Sequence, residues 1–412
     1  MPFLEAVRLA LNTIRVQKLK SFFTLLGVMI GVMFLIAVIS IVEGMGNYVE
    51  NDFAGKIIGV NTYNLRRRPE FTPNESEAQW REYMRRPRLA MSEVELVRGT
   101  IPPGSHAALV NENFLYAVGG QGRPRQVQAV ATEADYFTIK KFGITLGRAF
   151  SQQEVLAGSR VVVIGTEVAE HFFPGLDPIG RELRIAGSPY EVIGTIEKQG
   201  TVFGFSMDRL AIVPYTTPLY RALRPRGDPE TLLVQAPSLE LVGEGIETAR
   251  EAMRSVRHLP PGKADNFALE TQDSAMEFFR GLKSKMVVFG TALPAIGLIV
   301  GALVIMNIML VAVAERTREI GIRKALGATR GNILSQFLIE AATLSVIGAA
   351  IGIAGGIGLA KLVQATTPLP AAVALWSIFA ALALGAGVGI VAGVYPASRA
   401  ARLDPIAALR QE

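Results

Sequence analysis

A charged island, AERTREIGIRKALGATRGN, occupies residues 314–332 between two long apolar runs. Arg316, Arg318, Arg323, Lys324 and Arg330 are basic, while Glu315 and Glu319 are acidic. The chemistry such side chains offer is electrostatic. Lys and Arg near the ends of membrane spans resist translocation, so this loop is expected on the cytoplasmic side. The spacing predicts a helix: Glu319 and Arg323 stand four apart in the favourable order. Ile322, Ala325 and Leu326 share an apolar face, and Gly327 is placed to cap the C-terminal end. A short two-faced helix of this kind is suited to being pushed by a cytoplasmic partner.

Other chemistry is sparse. The three histidines, His106, His171 and His258, are far apart in sequence, and none has a partner at metal-ligand spacing. No GxSxG nucleophile elbow occurs, and the acidic residues do not pair into an evident catalytic couple. The Gly-Lys pairs at 55–56 and 262–263 lack the rest of a phosphate-cradling GxxxxGK[ST] loop. Hydrolysis of ATP by that route is therefore not expected of this chain. No catalytic residue and no metal site is assigned. There are no cysteines, which excludes disulfides and thiolate metal sites.

The elements around the island are membrane spans. Half of the residues are hydrophobic, mean hydropathy is +0.32, and the apolar residues are clustered rather than periodic. Residues 1–20 have apolar positions at helical spacing (Phe3, Leu4, Val7, Leu11, Ile14) and basic ones between, as in an interfacial amphipathic helix. Phe22 to Val42 is free of charge over 21 residues. That is about 31 Å of helix, enough to cross a bilayer core. The span, taken as 21–42, reads as a signal anchor with the N-terminus inside. Met286 to Ala314 is charge-free over 29 residues, longer than a bilayer needs, so the span at 286–314 should tilt or project as a stalk. Pro294 is a candidate kink, and Asn307 is expected to face other helices rather than lipid. After a coupling segment at 315–332 come spans at 333–362 and 373–395 and a tail at 396–412. Both termini are then cytoplasmic. The net charge of +6 fits topology and anionic lipid better than nucleic acid. Gly348, Gly352 and Gly356, then Gly385, Gly389 and Gly393, recur every four residues, a spacing that lets helices approach closely in lipid. No span carries the polar stripe of a channel.

Residues 43–285 mix charges, prolines and short β-like runs, and fall outside the cytoplasm once the chain has crossed. Strands are expected at 60–67, 107–118, 125–131, 159–164, 181–185 and 190–197. Pro69 to Pro87 reads as a polar loop, and Ser92–Glu95 has the spacing of a capping box opening a helix. A strand–helix–strand unit at 231–270 echoes an earlier one at 60–118. The expected architecture is therefore an α+β extracytoplasmic domain in two parts, with a β-rich insert at about 148–215.

Three segments resemble a known family: ERTREIGIRKALGA at 315–328, QFLIE at 336–340 and YPASRAARLDPIAALR at 395–410. They match the FtsX-like permease pattern, and look most like its macrolide-exporter (MacB-type) branch without the fused ATPase domain. The resemblance implies four transmembrane helices with a periplasmic core domain between the first and second, in a bacterial inner membrane. It further implies a dimer of permeases, a separate ABC ATPase carrying ATP and Mg, and a periplasmic adaptor. In the family the 315–328 segment is the coupling helix. By resemblance the ATPase-contact role falls to Glu315, Arg316, Thr317, Arg318, Glu319, Ile320, Gly321, Ile322, Arg323, Lys324, Ala325, Leu326, Gly327 and Ala328. The function implied is efflux driven by mechanotransmission. Release of lipoprotein or lipid, and mechanical regulation of a cell-wall hydrolase, are the alternatives.

Overall fold

The computed structural model describes residues 18–49, 61–70, 72, 76–120, 122–202 and 205–410. Most of the expected interfacial helix at 1–20 lies outside the described residues. The chain divides into two compact units, Met1–Tyr48 with Leu282–Glu412, and Val49–Gly281.

The first unit is helical. Among the described residues four helices are long and apolar enough to cross a membrane: TM1 (Lys18–Tyr48), TM2 (Gln272–Glu315), TM3 (Arg330–Thr366) and TM4 (Leu375–Ala401). Between TM2 and TM3 lies an island helix (Thr317–Ala325), and after TM4 a tail helix (Pro405–Arg410). TM2 starts fourteen residues before the expected 286, because the charged residues 272–285 continue the same helix. Pro294 lies inside that helix. Asn307 differs from expectation, since its side chain is exposed on this chain. The buried line of TM2 runs through Leu298, Ile305, Met309 and Val313, which turns position 307 outward. Lys283, one of the basic residues at the outer end of TM2, pairs with Glu43 of TM1 at 2.8 Å.

The second unit is built on a ten-stranded sheet. The strand and helix order is β1 (Thr62–Arg66), α1 (Glu77–Arg85), α2 (Met91–Arg98), β2 (His106–Gly119), β3 (Gly122–Thr132), α3 (Asp135–Lys140) and β4 (Ile144–Gly147). Then follow α4 (Gln152–Leu156), β5 (Val161–Ile164), α5 (Thr166–Phe172), β6 (Glu182–Ile185), β7 (Ser188–Ile196), the short ribbon β8 (Thr201–Val202) and β9 (Phe205–Ser206), and β10 (Leu210–Pro214). The last elements are α6 (Pro218–Leu223), β11 (Thr231–Gln235), α7 (Leu239–Val256) and β12 (Ala268–Thr271).

The two strand–helix–strand units interleave rather than stand side by side. β1 lies between β12 and β11 and is antiparallel to both, and β11 in turn pairs with β2. This is a split βαβ arrangement. Its covered face buries Tyr63, Leu65, Leu109, Leu232 and Val234 under α2 and α7. Gly245 in α7 makes room for the Tyr63 ring, which a Cβ there would meet at 3.0 Å. Arg257, after α7, grips both oxygens of Glu93 in α2 at 2.8 and 2.9 Å.

The β-rich insert is not confined to 148–215. β2, β3, β10, β5, β7 and β6 pair in succession, and β6 returns to β2, so six strands close a ring. Two of those strands come from 106–132, because β2 is long enough to join β11 at one end and β6 at the other. Alternate residues point into the ring, among them Ala129, Val162, Ile164, Leu183, Val192 and Val213, with Phe172 of α5 and Leu219 of α6 in the same core. The β6–β7 turn is tighter than the expected four residues. Ala186 and Gly187 alone make it, both at positive φ (48° and 83°), as right-twisted hairpins prefer.

Two local expectations are corrected. The 69–87 segment contains α1, whose start is a capping box between Ser76 and Gln79. The helix at 91–98 begins after Ala90 rather than at Ser92, and Glu93 accepts the Ala90 N–H at 2.9 Å. At α1 Ser76 and Gln79 cap each other reciprocally, whereas at α2 the Glu93 carboxylate three residues in marks the start without a polar N-cap residue.

Candidate functional site

The island helix is defined by how its ends are closed. TM2 stops at Glu315, and Arg316 leaves helical geometry at φ −102°, ψ 14°. At the other end the Gly327 N–H donates to the Lys324 carbonyl and the Ala328 N–H to the Arg323 carbonyl. With Gly327 at φ +96° this is a Schellman cap, which a Cβ would strain. Thr329 then caps TM3 by accepting from the Asn332 N–H.

One face of the helix is clamped. Ile320 and Gly321 are buried, and a Cβ on Gly321 would meet Ala408 of the tail helix at 2.9 Å. Lys324 Nζ donates to the carbonyls of Ala401 and Leu403 at 2.6 and 2.7 Å. The Ala401 carbonyl is one of the orphan acceptors at the end of TM4, and a cation there also complements the helix dipole. Burial and the charge of Arg330 lower the Lys324 ammonium from its usual value, with Asp404 opposing. Arg316 Nη1 reaches both oxygens of the buried Glu340 in TM3, at 3.2 and 3.3 Å. Thr317 donates back to the last turn of TM2.

The expected Glu319–Arg323 pair is absent among the described residues. Arg323 Nη1 donates instead to Gln336 Oε1 of TM3 at 2.9 Å. Facing a buried amide on another helix, Arg323 gains more than from a solvated carboxylate on its own helix. The opposite face is open: Glu315, Arg318, Glu319, Ile322, Ala325, Leu326 and Gly327 are exposed. Leu326 is 83% exposed and Ile322 45%. The fourteen residues of 315–328 thus separate into a clamped set and a presented set.

The predicted glycines lie in two seams. A Cβ at Gly348, Gly352 or Gly356 would stand 3.2, 2.6 or 2.7 Å from the carbonyl oxygen of Leu25, Met29 or Met33 in TM1. Both helices therefore advance by four residues in step. Gly385, Gly389 and Gly393 of TM4 meet Ala349, Ser345 and Ala341 of TM3, whose Cβ atoms would be 2.5 to 2.8 Å away. TM3 is the shared partner, and Ser345 also donates to the Gly385 carbonyl. A third seam was missed. Gly27 and Gly31 of TM1 pack on Gly301 and Gly297 of TM2, with a Cβ on Gly27 only 2.6 Å from the Gly301 Cα. The same four-residue spacing on both helices was the available signal.

Two family matches cover most of the chain. Residues 21–256 match the MacB-like periplasmic core domain family, and residues 291–405 the FtsX-like permease C-terminal family. The chain is 29% identical to the uncharacterized ABC transporter permease YknZ of Bacillus subtilis over the full length of both. It is 32% identical to the uncharacterized ABC transporter permease YvrN of the same organism, over 99% of this chain and 100% of that one. The macrolide export ATP-binding/permease protein MacB of Neisseria meningitidis is 30% identical, and the chain spans 61% of its length. Among solved structures, the periplasmic region of MacB from Actinobacillus actinomycetemcomitans covers 57% of this chain at 17% identity, with a TM-score of 0.42. Membership among ABC transporter permeases implies an ATPase partner. The chain belongs to the ABC-type permease family that joins a MacB-like periplasmic core domain to an FtsX-like permease region.

Proposed function

We propose that the chain is the permease subunit of an ABC-type efflux complex, and that a partner ATPase docks on the presented face of the island helix. The observation that carries this reading is the apolar pair Ile322 and Leu326, exposed beside Arg318 and Glu319 on a helix fixed from behind. Exposed large apolar side chains rimmed by charge mark protein contacts. A rigid backing is what a helix needs if a push on it is to be passed on. ATP and Mg would reside on the partner. TM2, 44 residues long in one helix, would relay the movement outward, where the extracytoplasmic unit expels substrate toward a periplasmic adaptor. On this reading the 315–332 segment and both termini lie on the cytoplasmic side of a bacterial inner membrane, which the basic charge of that segment supports.

A second permease copy is part of this reading. Asn307 lies on an exposed stripe of TM2 with Leu293, Ile296, Val300 and Leu303. An amide in hydrocarbon is costly unless another helix answers it.

The test is co-purification of the partner ATPase from membranes. Leu326→Asp and Arg318→Glu should each reduce recovered ATPase about tenfold or more, as loss of a central contact residue does. Arg323→Gln, which alters the clamped face, should act through stability instead. Leu326→Asp and Arg318→Glu variants that retain the ATPase and stimulate it normally would count against the docking face.

A further inference from the structure

The extracytoplasmic unit contains a cavity of about 490 Å³ where the end of β1 meets the segment after α1 and the loop between α6 and β11. That volume lies within the range of small-molecule sites, roughly 300–1,000 Å³. Its lining is not that of an apolar pocket, because five arginines converge there: Arg66, Arg67, Arg68, Arg88 and Arg224.

Three of them are matched internally. Glu70 pairs with Arg66 and Glu230 with Arg224. Asp228 accepts from Arg88 Nη1 through both oxygens at 2.9 Å. Arg67 is held by backbone alone, its Nε donating to the Arg86 carbonyl at 2.7 Å and its Nη2 to the Met84 carbonyl. Arg68 reaches the Met84 sulfur at 3.8 Å. Among the described residues neither Arg67 nor Arg68 has a carboxylate partner. Among the described residues that line the cavity, five positive side chains stand against three negative ones, an excess of two positive charges.

The arginines feel that imbalance. Burial, then the charges of Arg88 and Arg68, pull the Arg67 guanidinium below its ordinary value, with Asp228 opposing. Burial also lowers Arg224, with Arg88 and Arg68 adding to it and Asp228 opposing. Crowded guanidinium groups of this kind are stabilised by an anion that accepts from several at once. A phosphate monoester, with a charge of about −1.5 to −2 and three acceptor oxygens, fits both the deficit and the number of donors. Arg67 is positioned in advance by its two carbonyls, so little ordering is required on binding.

We propose that this cavity binds a phosphate monoester group, either as free phosphate or as the headgroup of a lipid that ends in a phosphate monoester. The site lies wholly within the extracytoplasmic unit and does not depend on the docking face of the island helix.

The experiment is calorimetric titration of the full chain in micelles of an uncharged detergent with inorganic phosphate, dihexanoyl phosphatidic acid and dihexanoyl phosphatidylcholine. Binding of phosphate and phosphatidic acid with equal affinity identifies free phosphate as the source. Tighter binding of phosphatidic acid identifies a lipid headgroup. In either case Arg67→Gln and Arg68→Gln should each weaken binding about tenfold, the scale of one charged hydrogen bond. Arg68 is exposed and touches α1 only through the weak Met84 sulfur contact, so Arg68→Gln should melt close to the wild-type temperature and keeps the test open if Arg67→Gln fails to fold. No binding of phosphate or phosphatidic acid at millimolar concentration would overturn the proposal. So would unchanged affinity in Arg68→Gln, or equal binding of phosphatidylcholine.

Discussion

At Gly352 a hydrogen atom is all that stands between TM3 and the Met29 carbonyl of TM1, which a Cβ would meet at 2.6 Å. At Phe172, in the other unit, a whole aromatic ring fills the core of the six-strand ring and is completely buried. The contrast follows from the two solvents. In water, each buried apolar side chain is rewarded by the area it removes from contact with solvent, so large residues make the core. In lipid that reward is missing, since the tails are as apolar as leucine, and close backbone approach supplies the attraction. The membrane unit therefore places glycine, alanine and serine at the closest seams between its helices, where the six-strand ring of the extracytoplasmic unit puts valine, isoleucine and phenylalanine.

Substitutions can break this comparison. The largest effect is expected from Gly352→Leu, which cannot enter the TM1–TM3 seam without parting the two helices. We expect loss of the folded membrane unit, seen as rapid proteolysis of the spans in detergent. Gly358, on the same helix with open space around its Cβ direction, should accept leucine unchanged. Similar protease resistance in the two variants would show that the seam does not hold the helices. Next in size, Phe172→Ala should destabilise the ring by about 3–5 kcal/mol, the usual cost of such a truncation. Hydrogen exchange should then quicken in β3, β5 and β10 while the spans keep their protection.

The smallest effect sharpens the comparison from the water-facing side. Glu154 caps α4 and is paired with Arg148 at 2.7 and 2.8 Å. The Arg148 hydrogen bond, helped by Ser151 and opposed by burial, lowers its carboxyl from 4.5 to about 2. A depressed carboxyl stabilises the fold above its unfolded value and loses that contribution as pH falls through the folded one. Glu154→Gln should therefore cost about 1 kcal/mol at pH 7, allowing for the exposure of Arg148. The difference should shrink between pH 4.5 and 2. A gap that is constant over that window in denaturant melts would assign the effect to packing.

How much of this was readable in advance differs by region. The spans and the island were legible because charge-free length and a run of arginines are one-dimensional facts. Gly348 to Gly356 and Gly385 to Gly393 announced close packing by spacing alone, but not which helix each would meet. Gly27 and Gly297 carried the same signal and were passed over, since a pair is quieter than a triplet. Arg323 was misread because its partner, Gln336, lies beyond a turn and on another helix. The run Arg66–Arg68 stands in the sequence, but nothing there showed that it would meet Arg88 and Arg224, since the cavity's lining comes from 66–89 and 224–230.

By itself the sequence determined what each segment must be: apolar length demands a helix in lipid, and alternation demands a strand with one buried face. Only the tertiary structure decided which segments meet. It placed β6 against β2 to close a ring, and turned Lys324 inward and Leu326 outward. The reason is physical: local patterns set the cost of each element's own conformation, whereas pairing depends on contacts between residues far apart in the chain.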